Sequence, residues 1–271
     1  MKLSKILLLL LTASSASLAL AGGGSYDDSN TSSAATPTAA LANSTSQKEM
    51  NLSDGFKDFY ITVKGGFSKS RDTGKIHFED DVQKNTNEDE DLGAGYIFGL
   101  SVGKYITNNF RVELEASQRG GLEYDTEYAS EPNLGTTNKA DIKTQSIFIN
   151  GFYDFESFAI INSLVTPYIG GGIGISRNKM GVVTEVTPEN EVAYLDGNKV
   201  SQFSYKLAAG TLVSLTESLS LDINYQYVDL GSFKSGLGYV ASGGATGNLT
   251  EALNGGEIKT QELMVGLQYK F

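Results

Sequence analysis

Charged side chains recur at alternate positions in one short stretch: Arg111, Glu113, Glu115 and, after Ser117, Arg119, with Phe110, Val112, Leu114 and Ala116 between them. In an extended strand such a spacing puts every charge on one face and every apolar group on the other. Other alternating segments place Lys64, Lys206, Asp222, Glu262 and Lys270 on their polar faces in the same way. If those faces enclose a narrow interior, acids and bases must neutralise one another, because an unpaired charge in a closed space is costly. The predicted chemistry is therefore a paired ionic network. No catalytic set accompanies it. His77 is the single histidine and falls in an acidic connection. The absence of Cys removes a thiol nucleophile, a lipid-modified N-terminal Cys, a thiolate metal site and a disulfide scaffold. Residues 85–91 (NTNEDED) alternate oxygen ligands, but Glu90 stands where a calcium loop needs Gly, so the run reads as a solvated acidic loop. Gly170 to Gly172 lie inside a strand with no helix after them, which argues against a phosphate cradle. No catalytic residue, cofactor or metal is expected.

The elements that position these charges are strands, and eight alternating segments are legible. They are Lys57 to Ser68, Gly93 to Tyr105, Phe110 to Arg119, Ile142 to Phe155, Pro167 to Ser176, Gln202 to Leu215, Leu219 to Asp229, and Leu263 to Phe271. The last sets Leu263, Val265, Leu267, Tyr269 and Phe271 on one face and ends the chain on an aromatic. A free aromatic terminus gains little unless something buries it, and a strand that closes a barrel in lipid supplies that reason. In the fifth segment Ile169, Ile173 and Ile175 oppose Gly170, Gly172 and Gly174, whose inward face leaves room for long side chains from across a narrow barrel. Connections run long, short, long, medium, long, short, long: 69–92, 106–109, 125–141, 156–166, 177–201, 216–218 and 231–256. Long loops at one end and short turns at the other indicate an all-β, eight-stranded antiparallel up-and-down transmembrane barrel, with short periplasmic turns and four long extracellular loops. Phe59, Phe110, Tyr153, Tyr205, Tyr269 and Phe271 suit interfacial aromatic girdles.

Composition agrees, with 31 Gly, 14 Tyr, 13 Phe and only 4 Pro in 271 residues. Lys2 and Lys5 precede the apolar run Ile6 to Leu11, and Ala19-Leu20-Ala21 offers a cleavage site, so residues 1–21 read as a signal peptide. Loss of those two lysines takes the formal charge from −11 to −13, which repels phosphate backbones and argues against nucleic-acid binding. Residues 22–55 are rich in Ser, Thr and Ala and read as a disordered periplasmic linker, leaving 56–271 for the barrel.

Residues 57–271 resemble the eight-stranded outer-membrane barrels of the OmpA/OmpX and opacity-protein type, which include surface antigens of Gram-negative bacteria. The likeness rests on PYIGGGIGIS, on LTESLSLDINYQYVDLG and on the terminal GLQYKF. It implies an outer-membrane location among lipids and lipopolysaccharide. It also implies an assembly signal in Gly266, Tyr269 and Phe271, read by the barrel-insertion machinery; Met264 departs from the polar residue usual two positions before the Gly. The His and Ser pair through which outer-membrane lipid hydrolases resemble one another is missing from the late strands. Eight strands enclose an interior that side chains just fill, so a wide pore is not expected. Function then falls to the loops. The first holds Lys69, Arg71, Lys75 and Lys84 against Asp72, Glu79, Asp80, Asp81, Glu88, Asp89, Glu90 and Asp91. The expected role is a structural surface barrel whose loops recognise host or environmental ligands; the alternatives are a narrow porin-type ion channel and a lipid-modifying enzyme.

Overall fold

The structure, a computed structural model, describes residues 58–71, 84–86, 92–128, 135–160, 163–252 and 254–271. The signal-peptide and linker readings, His77 and most of the NTNEDED run lie outside these residues. Every regular element described is a strand: β1 (Phe59–Arg71), β2 (Lys84–Thr86), β3 (Ala94–Tyr105), β4 (Phe110–Tyr128), β5 (Thr137–Asp154), β6 (Phe158–Ile160), β7 (Ser163–Met180), β8 (Val183–Val186), β9 (Val192–Leu195), β10 (Asn198–Ser214), β11 (Leu219–Lys234), β12 (Gly238–Val240), β13 (Thr246–Asn248) and β14 (Asn254–Lys270).

The eight long strands pair antiparallel with their neighbours in sequence. The sheet closes where β1 meets β14, with Tyr60 opposite Lys270 at one end and Arg71 opposite Lys259 at the other. Closure leaves no edge on the barrel wall, the condition for a sheet to sit in hydrocarbon. The terminal aromatic takes part, since the Phe271 N–H donates to the Phe59 carbonyl at 3.0 Å.

Burial settles which way the faces point. The apolar residues face out, among them Val63, Phe67, Phe98, Leu100, Leu114, Ile147, Ile149, Ile173, Ile175, Phe203, Leu207 and Leu263. The polar partners face in: Thr62, Lys64, Ser101, Asn150, Ser204, Lys206, Asn224 and Glu262 are all buried. This inside-out arrangement belongs to a barrel immersed in lipid rather than in water.

The strands outrun the sequence segments at the long-loop end. β4 continues to Tyr128, β5 begins at Thr137, β7 reaches Met180, β10 begins at Asn198, β11 reaches Lys234 and β14 begins at Asn254. Much of what reads as loop at 125–141, 177–201 and 231–256 is therefore sheet. One-residue bulges on β4 and β11 hide much of it, with a further slip on β14 between Glu257 and Asn254. The β4–β5 register slips between Arg119 and Leu122, at Gly121 with φ 78°. The β11–β14 register slips between Asp229 and Ser232, at Gly231 with φ 73°. Each bulge reverses the parity of its strand, so that inward positions pass from Ser117 and Arg119 to Leu122 and Tyr124 on β4, and from Val228 and Leu230 to Phe233 on β11.

Inside the upper barrel these residues make an apolar core: Leu122, Tyr124, Ile142, Phe148, Met180, Val228, Leu230, Phe233 and Ile258, joined by Val183 and Leu195 from the short strands. The hairpins β8–β9 and β12–β13 are not separate loops. β8 pairs with β5, β9 with β8, β12 with β9 and β13 with β12, giving one continuous sheet above the wall. At the short-turn end β6 pairs back on β7, which starts at Ser163 rather than Pro167.

The inward glycines of β7 serve a neighbour rather than the far wall. Gly170, Gly172 and Gly174 lie opposite Phe152, Asn150 and Phe148 of β5. A Cβ on Gly172 would meet Asn150 Oδ1 at 2.1 Å, and one on Gly174 would meet the Ile147 carbonyl at 2.1 Å. The missing side chains let the adjacent strand's inward groups lie across the β5–β7 seam.

Candidate functional site

Two regions gather polar chemistry: the lumen and the sheet at the long-loop end. Within the lumen, Glu115 accepts from Lys64 Nζ at 2.8 Å and from Lys206 Nζ at 2.7 Å. Lys64 also reaches Glu113 at 3.4 Å, and Asn150 donates to both carboxylates. Below them Arg111 donates from Nε to Asp154 at 3.0 Å, and its guanidinium lies over the rings of Phe152 and Tyr168 at 4.3 and 4.6 Å. Arg111 also donates to the Tyr60 hydroxyl at 3.2 Å, and that hydroxyl donates on to Glu113 at 3.2 Å. Tyr168 donates to Asp222 at 2.6 Å. Above them Arg119 grips Glu262 through two guanidinium nitrogens, with Ser68, Thr260 and Gln226 also donating to that carboxylate.

Of the sequence-selected charges, Lys64, Arg111, Glu113, Glu115, Arg119, Lys206, Asp222 and Glu262 are thus inside the wall. Lys270 differs. It lies at the rim, half exposed, with Nζ 3.8 Å from Asp58 and over the Tyr105 ring at 4.7 Å. There it borders a polar vestibule of about 470 Å³ at the short-turn mouth, shared with Asp58, Tyr105, Asp154, Glu156 and Gln268. Strand parity alone gave Lys270 an inward side but not its height, and the last residue of a strand is already at the mouth. Tyr60, Tyr168 and Asp154 join this network although none is among the charges singled out in the sequence. Their signal was inward parity beside a buried guanidinium.

The lumen is closed by packing. The ionic layers fill the middle, and the apolar core shuts the upper end. Among the described residues no group of acids and histidines is arranged to hold a metal ion.

At the long-loop end the outer rim carries Lys139, whose ammonium is held above its ordinary pKa by the hydrogen bond and charge of Asp125 at 2.8 Å. The hairpin sheet presents Tyr194 and Val240, which face each other across β9 and β12 and are 47% and 41% exposed. Leu195 and Tyr239, on the opposite face, pack toward the core. The terminal strand places Gly266 inward, opposite Lys64, where a Cβ would come within 2.8 Å of the Lys64 Cβ. Tyr269 and Phe271 face outward, their rings in an edge contact at 5.3 Å.

A closed eight-stranded sheet with an apolar outside and an ionic inside defines a transmembrane β-barrel. Residues 31–271 match the family described as "Outer membrane protein beta-barrel domain", and the chain belongs to it. It is an outer-membrane surface protein, with short turns in the periplasm and long connections outside the cell. Among curated relatives, a "Putative adhesin" of Rickettsia felis is 28% identical over 189 residues, covering 66% of this chain and 75% of the relative. "Outer membrane protein PagN" of Salmonella typhimurium is 22% identical over 174 residues, covering 64% and 67%. Among solved structures, Neisserial surface protein A is 17% identical with a TM-score of 0.44, covering 79% of this chain and 98% of that one.

Proposed function

We propose that the protein is a non-enzymatic adhesin, in which the barrel is a rigid mount and the extracellular sheet makes the contact. The observation that carries this reading is the pairing of two loop hairpins into one sheet, continuous with β5 and pinned from beneath by Val183, Leu195 and Tyr239. Such a surface loses little entropy when it binds, and a loose loop loses much. Its exposed Tyr194 offers an aromatic contact of the kind that protein interfaces favour, with the apolar Val240 beside it. Relatives named as adhesins support the same reading. The Tyr194→Ser/Val240→Ser protein, displayed on a non-adherent Gram-negative strain, should lose most attachment to cultured mammalian epithelial cells at unchanged surface abundance. Attachment equal to that of the unaltered protein would sink the proposal.

The barrel-insertion machinery would read the last strand through Tyr269 and Phe271, while Gly266 also makes space for Lys64. Deleting Phe271 should sharply reduce heat-modifiable protein in the outer membrane of cells while leaving refolding in detergent nearly intact. Normal insertion of the truncated chain would remove that role.

A further inference from the structure

Three lysines stand in register on the outer face of the wall. Lys143 of β5 pairs with Lys179 of β7, and Lys179 pairs with Lys199 of β10. Adjacent strands are about 5 Å apart, so neighbouring stems leave the sheet well inside the Debye length of about 8 Å at physiological salt. Like charges directly opposite in a sheet destabilise it. Arg177 lies one outward position below, between Gln145 and Ser201, and adds a fourth cation.

Three other basic residues at this rim have partners on the protein: Lys139 with Asp125, Lys259 with Glu257, and Arg71 with Gln261. None of those contacts uses the four. Asp141, the next outward residue above Lys143, and Glu123, opposite it on β4, are the acids beside the row, and two carboxylates cannot neutralise four cations. A groove of about 510 Å³ opens directly above the row, floored by Gly181 and Gly197 and flanked by Lys179 and Lys199.

Height identifies the occupant. The row directly beneath Arg177 is Ile147, Ile175 and Phe203, each 60–66% exposed on the lipid face. From the girdle residue Tyr153 to Lys143 is ten residues of β5. At about 3.4 Å per residue and a tilt of about 40°, that is a rise of about 26 Å, the height of an outer-membrane barrel's apolar band. The lysine row therefore stands where hydrocarbon ends in the outer leaflet, with Arg177, opposite Gln145, about 5 Å beneath it. We infer that Lys143, Arg177, Lys179 and Lys199 form a site for the phosphorylated headgroup of an outer-leaflet glycolipid, whose acyl chains lie along Ile147, Ile175 and Phe203. The phosphate supplies the counter-charge that the in-register lysines lack, and Arg177 can engage it through two donors.

The test uses the full chain refolded in zwitterionic detergent, with bisphosphorylated lipid A, enzymatically dephosphorylated lipid A and a heparin oligosaccharide as probes. Without lipid, K143Q/K179Q/K199Q should fold and melt at or above the temperature of the unaltered protein, because a like-charge row has been relieved. With bisphosphorylated lipid A, the unaltered protein should gain several degrees and retain the lipid in native mass spectrometry. The triple variant should retain about tenfold less or fainter still, having lost its charge-assisted contacts. Equal retention of the two lipid forms, equal retention by the variant, or capture of heparin without capture of lipid A would each overturn the inference; the last would make the row a site for soluble polyanions.

Discussion

Exchanging Glu262 for Leu will destabilise the folded barrel by about 3–5 kcal/mol, the cost of leaving one partner of a buried ion pair uncompensated. Glu262 and Arg119 are fully buried, and the carboxylate is the acceptor for Arg119, Ser68, Thr260 and Gln226 together. Without it the guanidinium keeps only the hydroxyls of Ser117 and Ser146, each at 3.2 Å. Urea unfolding in lipid vesicles, followed by the gel shift between folded and unfolded forms, reads the change. The Arg119→Met/Glu262→Leu pair should regain most of the loss, since removing both charges removes the desolvation cost along with the attraction. A single exchange costing less than about 1 kcal/mol, the range of an exposed pair, would show that water reaches this layer.

The second large effect is expected at the β5–β7 seam. Gly172→Ala/Gly174→Ala should lower the yield of folded barrel severely, because both new methyl groups meet backbone: Ile149 O at 2.8 Å and Ile147 O at 2.1 Å. Overpacking against mobile side chains costs about 1–3 kcal/mol per site, and rigid sheet backbone has less room to give. Gly99→Ala is the control. Its methyl group would first meet the flexible Lys64 side chain at 3.3 Å, so it should fold at near-normal yield. Equal yields for the two variants would show that the seam tolerates strain.

The wall of the barrel was legible because lipid on one side and a filled lumen on the other impose a period of two, and β14 keeps that period without interruption from Ile258 to Gln268. Arg111, Glu113, Glu115 and Arg119 could be assigned to the lumen from parity alone. Where Gly120-Gly121 and Gly231 insert an extra residue, parity reverses and the alternation breaks, so Leu122, Tyr124 and Phe233 fall out of phase with β4 and β11 in the sequence. The hairpin strands are three or four residues long, too short to show a period. Which base meets which acid depends on side chains from non-adjacent strands; Lys206 and Glu115 are 91 residues apart in sequence.

The parity reversal gives one sheet two thermodynamic characters. Below the bulges the wall faces hydrocarbon, where side-chain packing and satisfied hydrogen bonds stabilise it and water supplies little drive. Above them Leu122, Ile142, Met180 and Phe233 are buried away from water, so that end obeys the hydrophobic effect with its large heat-capacity change. Urea and cold weaken burial from water more than packing against lipid. The outer end is thus a water-soluble domain in its energetics, threaded on the same strands as a membrane protein, and it can loosen or diversify while the span beneath it stays folded.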